Sequence, residues 1–321
     1  MSEKPRVLVT RRLPDNVETR LKNDYRPDLN PDDQLYPGDE LVARSAGVDA
    51  ILPCPTDKMT ADVINALDDS VKVIATFSVG HEHIDGQAAA ARGITVTNTP
   101  DVLTDATAEI AMLLILGAAR RAAEGERMIY GQTWGAWAPT AMRGIEVTGN
   151  RLGILGMGRI GQALADRARG FGMDVHYHNR SRLPADKEKG ATFHDDLDGL
   201  LAVSNILSVH CPSSPETIKV INAERLAKLP DDAIVVNTAR GNVVDDDALI
   251  AALKSGKLFA AGLDVYDGEP DIHPGYRELN NAFLLPHLGS ATRETRDAMG
   301  FRALDNLDAF FAGKEPPDRV V

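Results

Sequence analysis

The stretch that most restricts the fold is the glycine-rich run "RLGILGMGRIGQALADRARGFGMDVHYHN" at residues 151–179. A strand-like apolar run precedes Gly156, Gly158 and Gly161, which form G-x-G-x-x-G, and a helical pattern follows them. In that context glycines make a tight turn, let the backbone approach a pyrophosphate and aim a helix N-terminus at it. We therefore expect a dinucleotide-binding βαβ unit here; the alternative is a turn whose glycines are only structural.

Short β-branched runs alternate with helical segments along most of the chain. The runs before residue 100 are "RVLVT", "AILPC", "VKVIATF" and "TVTNT", and six more begin at "RLGILG" and end at "FLLPH". Such alternation predicts parallel sheets with crossover helices. The predicted fold class is α/β, with two Rossmann-like domains, a flavodoxin-like outer one and a dinucleotide-binding inner one, and a cleft between them.

The domain boundaries follow from a long alanine-rich segment and from the last helix. A chain of 321 residues is long for one ordinary domain. The segment "TDATAEIAMLLILGAARRAAEGERMI" predicts a buried hinge helix, and "SATRETRDAMGFRALDNLDAFFAG" predicts a helix that folds back on the N-terminal sheet. We predict a substrate-binding outer domain of residues 1–100 plus 288–321 and a dinucleotide-binding inner domain of residues 101–287, with a dimerisation arm at about 130–148.

Composition argues against several classes of partner. The formal net charge is −12 and the basic residues are scattered, so nucleic acid and anionic membrane surfaces are not expected partners. The two cysteines, Cys54 and Cys211, form no CxxC pair, which fits reduced thiols. The first residues carry no apolar signal core and no stretch approaches a membrane span, so we expect a cytoplasmic protein.

The segment "HYHNRSR" bears on the choice of dinucleotide. Where an Asp or Glu would accept hydrogen bonds from the adenosine ribose, this chain has Asn179, followed by Arg180, Ser181 and Arg182. Two guanidiniums and a hydroxyl can bind a 2′-phosphate. The segment thus predicts NADP(H) as the preferred cofactor; if the arginines are merely solvated, NAD(H) is possible.

Motifs in separate segments resemble one known family. The stretches "VVNTARGNVVDDDALIAAL", "AGLDVYDGEP" and "LLPHLGSATRETR", together with "GMGRIG", resemble the D-isomer-specific 2-hydroxyacid dehydrogenases over nearly the whole chain. The stretches "TFSVGHEHID" and "ATAEIAMLLILGAARRA" and the tryptophan-bearing loop are most similar to the glyoxylate/hydroxypyruvate reductase branch, which includes glycerate dehydrogenases. The resemblance implies reduction of glyoxylate and hydroxypyruvate to glycolate and D-glycerate by hydride transfer, for which the segment "HYHNRSR" predicts NADPH.

Three residues carry the expected catalytic chemistry. Arg240 can fork onto the carboxylate and keto oxygens of a 2-keto acid and polarise the ketone. His287 has an imidazole suited to giving a proton to the oxygen that becomes a hydroxyl. Glu269 is the matching family position for a carboxylate that orients this histidine. Taken singly, each has a plainer reading: an ion pair for Arg240, a core histidine for His287 and a solvated turn residue for Glu269.

Other substrate contacts are implied by the resemblance. The backbone N–H groups of Val79 and Gly80 would bind the substrate carboxylate, unless this is an ordinary turn. Trp137, in a loop that also holds Trp134, would reach the substrate pocket of the partner in a homodimer, or else anchor the dimer interface. His81 and His83 form HxH, but no third ligand has a suitable spacing, so no metal site is expected.

The resemblance also implies the cofactor contacts outside the glycine-rich turn. Asp264 matches a position that holds the nicotinamide carboxamide; the alternative is a helix or turn cap. Thr107 matches a contact on the nicotinamide side; the alternative is core packing of the hinge helix. Cys211 is not expected to act as a catalytic nucleophile, because hydride transfer needs no nucleophilic side chain. The further predicted cofactor contacts are Arg159, Ile160, Cys211, Pro212, Thr217, Thr238, Ala239, His287 and Gly289.

Several alternative functions remain open from the sequence. A longer 2-keto acid such as 2-keto-D-gluconate could be the substrate. Formate oxidation fits poorly, since related formate dehydrogenases carry Gln at the position of Glu269, and phosphoglycerate dehydrogenases often carry a further regulatory domain. In another class, an NAD(H)-responsive corepressor-like protein shares the fold and the three catalytic positions.

Overall fold

The computed structural model describes residues 3–321, and the chain forms two compact units. The first unit comprises the chain up to Leu103 together with Ala291–Val321, and the second is Thr104–Ser290. The second boundary lies three residues beyond the expected residue 287, because the backbone N–H groups of Leu288 and Gly289 donate hydrogen bonds to Asp264 in the second unit. Within residues 3–321, none of the helices has the length and apolar character needed to cross a bilayer.

The first unit alternates short strands and helices and ends with a long helix. Its elements are β1 (Arg6–Val9), α1 (Asp15–Asp24), β2 (Arg26–Asp28), α2 (Gly38–Arg44), β3 (Ala50–Leu52), α3 (Ala61–Ala66), β4 (Val73–Ala75), α4 (Gly86–Ala91), β5 (Thr95–Thr97) and α12 (Arg293–Phe311). The strands form one parallel sheet in the order β2-β1-β3-β4-β5, the flavodoxin-like order.

Side-chain alternation along β1 explains how this sheet is covered on both faces. Val7 and Val9 pack with α1 and α12, whereas Leu8 packs on the other face with residues of α3 and α4. Gly300 lets α12 lie directly against Val17 of α1. The last helix therefore completes one of the two cores of the first unit.

The second unit has the larger sheet. Its elements are α5 (Thr104–Ala119), α6 (Ala122–Tyr130), β6 (Arg151–Leu155), α7 (Arg159–Gly170), β7 (Asp174–His178), α8 (Ala185–Glu188), β8 (Thr192–Phe193), α9 (Leu197–Val203), β9 (Ile206–Val209), α10 (Ala223–Lys228), β10 (Ala233–Asn237), α11 (Asp246–Lys254), β11 (Leu258–Leu263) and β12 (Ala282–Leu284), with 3₁₀ turns at Gly241–Val243 and Pro274–Glu278.

The strand order of the second unit is that of a dinucleotide-binding domain. The seven parallel strands run β12-β11-β10-β9-β6-β7-β8, so that, counted from β6, the order is 3-2-1-4-5-6 with one strand added. The strand order reverses between β6 and β9, and ligands of such sheets bind at the carboxyl ends of strands beside that point. The predicted α/β class is confirmed in both units.

The predicted hinge helix is broken in the structure. We expected one helix over residues 104–129, but α5 ends at Ala119 and α6 begins at Ala122. Between them Arg121 adopts φ 54° in the left-handed region, and the Ala119 carbonyl accepts a hydrogen bond from Ile145 N–H at 2.8 Å. The returning chain thus takes over a carbonyl at the end of α5, and α6 starts in a new direction.

Candidate active site

The glycine-rich turn joins β6 to α7. Gly156 has φ +93°, and a Cβ built there would lie 2.6 Å from the backbone N of Cys211. Only glycine fits such a position, because both the backbone conformation and the space exclude a side chain. The turn is therefore packed tightly against the segment that follows β9.

The first turn of α7 fits the pyrophosphate of a dinucleotide. Gly158 is the N-cap of this 12-residue helix and has no side chain with which to cap the first N–H groups. The opening N–H groups of a helix, here including those of Ile160 and Gly161, have no intrahelical partners and favour an anion. With Gly156, these residues could hold the diphosphate as the sequence predicts.

Asn179 fastens the turn from the end of β7. Its Oδ1 accepts a hydrogen bond from Met157 N–H at 2.6 Å. The side-chain amide therefore lies against the side of the glycine-rich turn that is next to β7. The next two residues, Arg180 and Ser181, are exposed. A ligand at this turn would therefore meet a guanidinium and a hydroxyl and no carboxylate from residues 179–182.

The guanidinium of Arg182 forms an ion pair within the chain. Its Nε and Nη2 lie 2.8 and 3.1 Å from the two carboxylate oxygens of Glu188, whose side chain is only 8% exposed. The Tyr177 hydroxyl donates to the same carboxylate at 2.6 Å. The hydrogen bonds from Arg182 and then Tyr177 lower the pKa of Glu188. The structure thus leaves Arg180, rather than Arg182, as the more available cation of the "HYHNRSR" turn.

Buried neutral groups lie at the end of β9. His210 Nε2 is 2.7 Å from Ser208 Oγ and its Nδ1 is 3.3 Å from Thr238 Oγ1, and burial lowers the pKa of His210 to about 4. Cys211 is buried, which raises the pKa of its thiol to about 11. A protonated thiol is a poor nucleophile, and both ring nitrogens of His210 are within hydrogen-bond distance of Ser208 and Thr238, so these residues serve to shape the edge of the sheet.

The loop after Cys211 is fastened by Thr217. Its hydroxyl donates to the Pro212 carbonyl at 2.7 Å and accepts from Ser214 N–H at 2.8 Å. These bonds close the loop on itself without help from another element. The predicted contacts Cys211, Pro212 and Thr217 therefore belong to one locally ordered segment.

Arg240 follows β10 in a turn that Asn237 holds. The Asn237 amide donates to the Arg240 carbonyl and accepts from Ala239 N–H, both at 2.9 Å. The next residue, Gly241, lies directly on the peptide after Tyr266, since a Cβ there would be 1.8 Å from the Tyr266 carbonyl carbon. Arg240 is thereby placed beside the turn that carries Glu269, and its charge helps to lower the pKa of that carboxyl group.

His287 and Glu269 form a short hydrogen-bonded pair. The distance from His287 Nδ1 to Glu269 Oε1 is 2.5 Å, and Glu269 Oε2 accepts from Tyr266 N–H at 3.3 Å. Burial raises the pKa of Glu269, but the hydrogen bond and charge of His287 outweigh it, and the net shift is downward. An ionised carboxylate on Nδ1 leaves Nε2 of the imidazole as the atom that can exchange a proton with a ligand.

Asp264 holds the loop that carries His287. Its Oδ1 and Oδ2 accept from Leu288 N–H at 2.6 Å and Gly289 N–H at 2.7 Å, and its carbonyl accepts from His287 N–H at 2.9 Å. Burial raises the pKa of Asp264, although these N–H groups oppose the shift. The hydroxyl of Thr107 donates to the Gly289 carbonyl at 3.1 Å. Both predicted nicotinamide-side residues are therefore brought to the His287 loop.

In the first unit, the predicted carboxylate contacts Val79 and Gly80 follow β4 and are half-buried. Asn98 was not among the predicted site residues; it follows the neighbouring strand β5, and its side-chain amide donates a hydrogen bond to the Val79 carbonyl at 2.7 Å. A polar residue directly after a buried strand was the available signal. His83 lies 3.0 Å from Thr76 Oγ1, and no group of His, Cys, Asp or Glu within residues 3–321 is arranged to hold a metal.

The predicted arm carries both tryptophans on its surface. Trp134 is 71% exposed and Trp137 is 85% exposed. Ile129 and Tyr130, at the end of α6, are also exposed. Within the chain, the structure does not bring Trp137 into a packed environment.

Comparisons with known proteins agree with this geometry. Residues 112–289 match the family model described as D-isomer specific 2-hydroxyacid dehydrogenase, NAD binding domain. The chain is 45% identical over 314 residues to a glycerate dehydrogenase from Hyphomicrobium methylovorum, covering 97% of this chain and 98% of the relative.

Solved structures of related proteins are similar to this chain in sequence and in fold. A protein from Polaromonas sp. JS6 66 is 46% identical with a TM-score of 0.94, covering 99% of this chain and 100% of the other. An NADPH-dependent glyoxylate/hydroxypyruvate reductase from Sinorhizobium meliloti, solved with NADP and malonate, is 33% identical with a TM-score of 0.87, covering 99% and 97%. The chain therefore belongs to the D-isomer specific 2-hydroxyacid dehydrogenase family and is an oxidoreductase that uses a nicotinamide dinucleotide.

Proposed function

We propose that this chain reduces glyoxylate and hydroxypyruvate to glycolate and D-glycerate, with NADPH as the preferred reductant. The observation that carries the proposal is the 2.5 Å pair of His287 and Glu269, with Arg240 next to the same turn. Support for the substrate class comes from the similarity to the glycerate dehydrogenase and to the glyoxylate/hydroxypyruvate reductase.

The roles of the side chains follow from their chemistry. The bound dinucleotide supplies the hydride for C2 of the keto acid. His287 gives the proton from Nε2 to the oxygen of C2, while Glu269 on Nδ1 stabilises the imidazolium before transfer. Arg240 donates hydrogen bonds to the keto and carboxylate oxygens and stabilises the negative charge that develops on the former. The N–H groups of Val79 and Gly80 bind the carboxylate.

The preference for NADPH rests on the turn after β7. Asn179 stands where a carboxylate would repel a 2′-phosphate, and its amide oxygen accepts a hydrogen bond from Met157 N–H. The exposed Arg180 and Ser181 then provide a charged and a neutral donor for the phosphate. Arg182 contributes mainly by ordering the segment, because its guanidinium is forked onto Glu188.

We also propose a homodimer formed through the arm. Ile129 and Tyr130 at the end of α6 and Trp134 and Trp137 in the arm expose large apolar side chains, and a second copy would cover them. Sedimentation velocity tests the dimer. If Trp137 enters the partner's pocket, Trp137→Ala changes kcat/KM for hydroxypyruvate at unchanged dimer mass; if Trp137 is only an anchor, the variant shifts the mass toward the monomer.

The decisive experiment measures kcat/KM for glyoxylate and hydroxypyruvate with NADPH and with NADH. The wild type is expected to prefer NADPH, and Arg180→Asp to lose about tenfold or more with NADPH, as expected for one charge-assisted contact. Arg182→Gln is the matched control and should change the NADPH value much less. A wild-type preference for NADH would contradict the cofactor proposal. Failure to reduce either acid would contradict the substrate proposal and direct attention to longer 2-keto acids and to a corepressor-like role.

A further inference from the structure

The three consecutive backbone carbonyls of the segment Ser78–Gly80 each accept a hydrogen bond. Ser78 O accepts from Thr99 N–H at 2.8 Å, Val79 O accepts from the Asn98 side-chain amide at 2.7 Å, and Gly80 O accepts from the Ser78 hydroxyl at 2.6 Å. Two of the three donors come from the segment that follows β5. The backbone of this short stretch is thus held from one side.

Fixing these carbonyls also fixes the N–H groups. In a trans peptide the C=O and the following N–H point in opposite directions. Because the Ser78 and Val79 carbonyls face residues 98–99, the N–H groups of Val79 and Gly80 face the opposite way. No acceptor for either N–H is found among residues 3–321. Two adjacent N–H groups on a half-buried segment that share a direction suit an anionic oxygen.

The position of Asn98 is itself well determined. It follows β5, whose Thr97 pairs in register with Ala75 of β4. Its backbone N–H donates to Asp318 O at 3.2 Å and its carbonyl accepts from the Asn306 amide at 3.1 Å. The residue is 9% exposed. Since the backbone is anchored on both sides, changing the side chain removes the contact to Val79 without removing the strand pairing.

A second set of side chains supports the same segment. The hydroxyl of Ser78 lies 2.9 Å from Thr76 Oγ1, which lies 3.0 Å from His83 Nε2. This chain of hydrogen bonds orients the Ser78 hydroxyl toward Gly80 O. It therefore restrains the far end of the segment, whereas Asn98 restrains the peptide between Val79 and Gly80.

We infer that Asn98 is a positioning residue for substrate binding: its amide holds the Val79–Gly80 peptide so that the Gly80 N–H is aimed at the carboxylate of the 2-keto acid. This inference rests on the proposed function. Asn98 does not touch the substrate and acts only through the peptide that it orients. Its contribution should appear in substrate affinity, because the carboxylate is bound in the ground state and in the transition state alike.

The test compares steady-state constants of the wild type and Asn98→Ala for glyoxylate with saturating NADPH. We expect KM to rise about tenfold or more, as for loss of one well-aligned hydrogen bond to a charged group, while kcat changes less than about threefold. The Kd of NADPH, measured by its fluorescence, should not change. An unaltered KM in a variant that folds would overturn the inference, whereas a wild type without turnover would overturn the proposed function instead.

Two further variants separate positioning from general loosening. Asn30→Ala removes another buried amide of the first unit, which donates to Thr10 O and Gln34 O at 2.7 Å each; it should lower Tm and leave KM unchanged. Asn98→Asp keeps the shape but lacks the donor at neutral pH, so its KM should rise at least as much as in Asn98→Ala. Equal increases of KM in the Asn30 and Asn98 variants, or a wild-type KM in Asn98→Asp, would show that the amide does not position the peptide.

Discussion

His287 Nδ1 lies 2.5 Å from Glu269 Oε1, and Glu269 Oε2 accepts the Tyr266 N–H at 3.3 Å. The hydrogen bond from Tyr266 N–H therefore orients the Glu269 carboxylate toward the imidazole. A carboxylate on Nδ1 holds the ring in one orientation and keeps a proton on Nδ1 in the neutral imidazole. The proposed reaction uses Nε2 of this pair for proton transfer.

Replacing the carboxylate by an amide tests this role. Glu269→Gln keeps the size of the side chain but removes the charge, so we expect kcat for glyoxylate reduction to fall at least tenfold. KM should change far less, because Arg240 remains. Glu278→Gln is the control, since Glu278 is exposed and forms an ion pair with the surface residue Lys254. A Glu269→Gln enzyme with wild-type kcat would contradict the assignment.

His210 predicts a pH dependence of stability. Burial lowers its pKa from 6.5 to about 4 in the folded chain, so between these values only the unfolded chain binds the proton. The contribution of the neutral His210 to the free energy of unfolding is fully present above pH 6.5. It is lost as the pH falls toward 4, at roughly 1.4 kcal/mol per pH unit and about 3 kcal/mol in total. Urea unfolding of the wild type and His210→Gln across this range should show a shallower decline for the variant. Parallel declines would refute the prediction.

Gly156→Ala should greatly weaken dinucleotide binding. A Cβ at residue 156 meets the Cys211 backbone at 2.6 Å and forces φ +93° on a residue with a side chain. Gly190→Ala is the matched control, because Gly190 has φ +85° but open space around it. Fluorescence titration should give a much weaker NADPH Kd for the first variant and a near wild-type Kd for the second. Similar Kd values for both would mean that crowding at Cys211 is unimportant.

Arg182 and Arg180 should separate stability from cofactor choice. Arg182→Ala leaves the mostly buried Glu188 carboxylate without its forked partner, so we expect a lower Tm and a change in kcat/KM with NADPH below about threefold. Arg180→Ala should leave Tm nearly unchanged and lower kcat/KM with NADPH. Thermal unfolding and NADPH kinetics on both variants decide the point, and an effect of Arg182→Ala confined to NADPH would assign it to the phosphate.

Patterns that lie within one segment were predictable from the sequence. The glycine-rich turn, the residues at the ends of β10 and β12 and the α/β class all follow from local runs, because parallel strands place their carboxyl ends at one edge. Pairings between segments were not. Asn98 matters through the register of β4 with β5, and the partner of Arg182 is Glu188, which a short helix brings back toward the turn.

Backbone details that depend on tertiary contacts were also missed. The strand β2 reads RPD, without a buried apolar residue, and β8 has only two residues, so neither shows the apolar run that marks the other strands. The helical pattern over residues 104–129 continues through Arg121, yet the contact between Ala119 O and Ile145 N–H ends the first helix. Local propensity cannot anticipate a hydrogen bond to a residue that comes about two dozen positions later.

The separation of the first unit into two sequence segments has a consequence for the order of events during synthesis. The second unit is contiguous and is complete once Ser290 has left the ribosome. The first unit still lacks Met299, Ala303, Leu304 and Leu307, the α12 side chains buried against its sheet. The sheet of the first unit, although translated before the second unit, must therefore wait with one apolar face incompletely covered until α12 emerges.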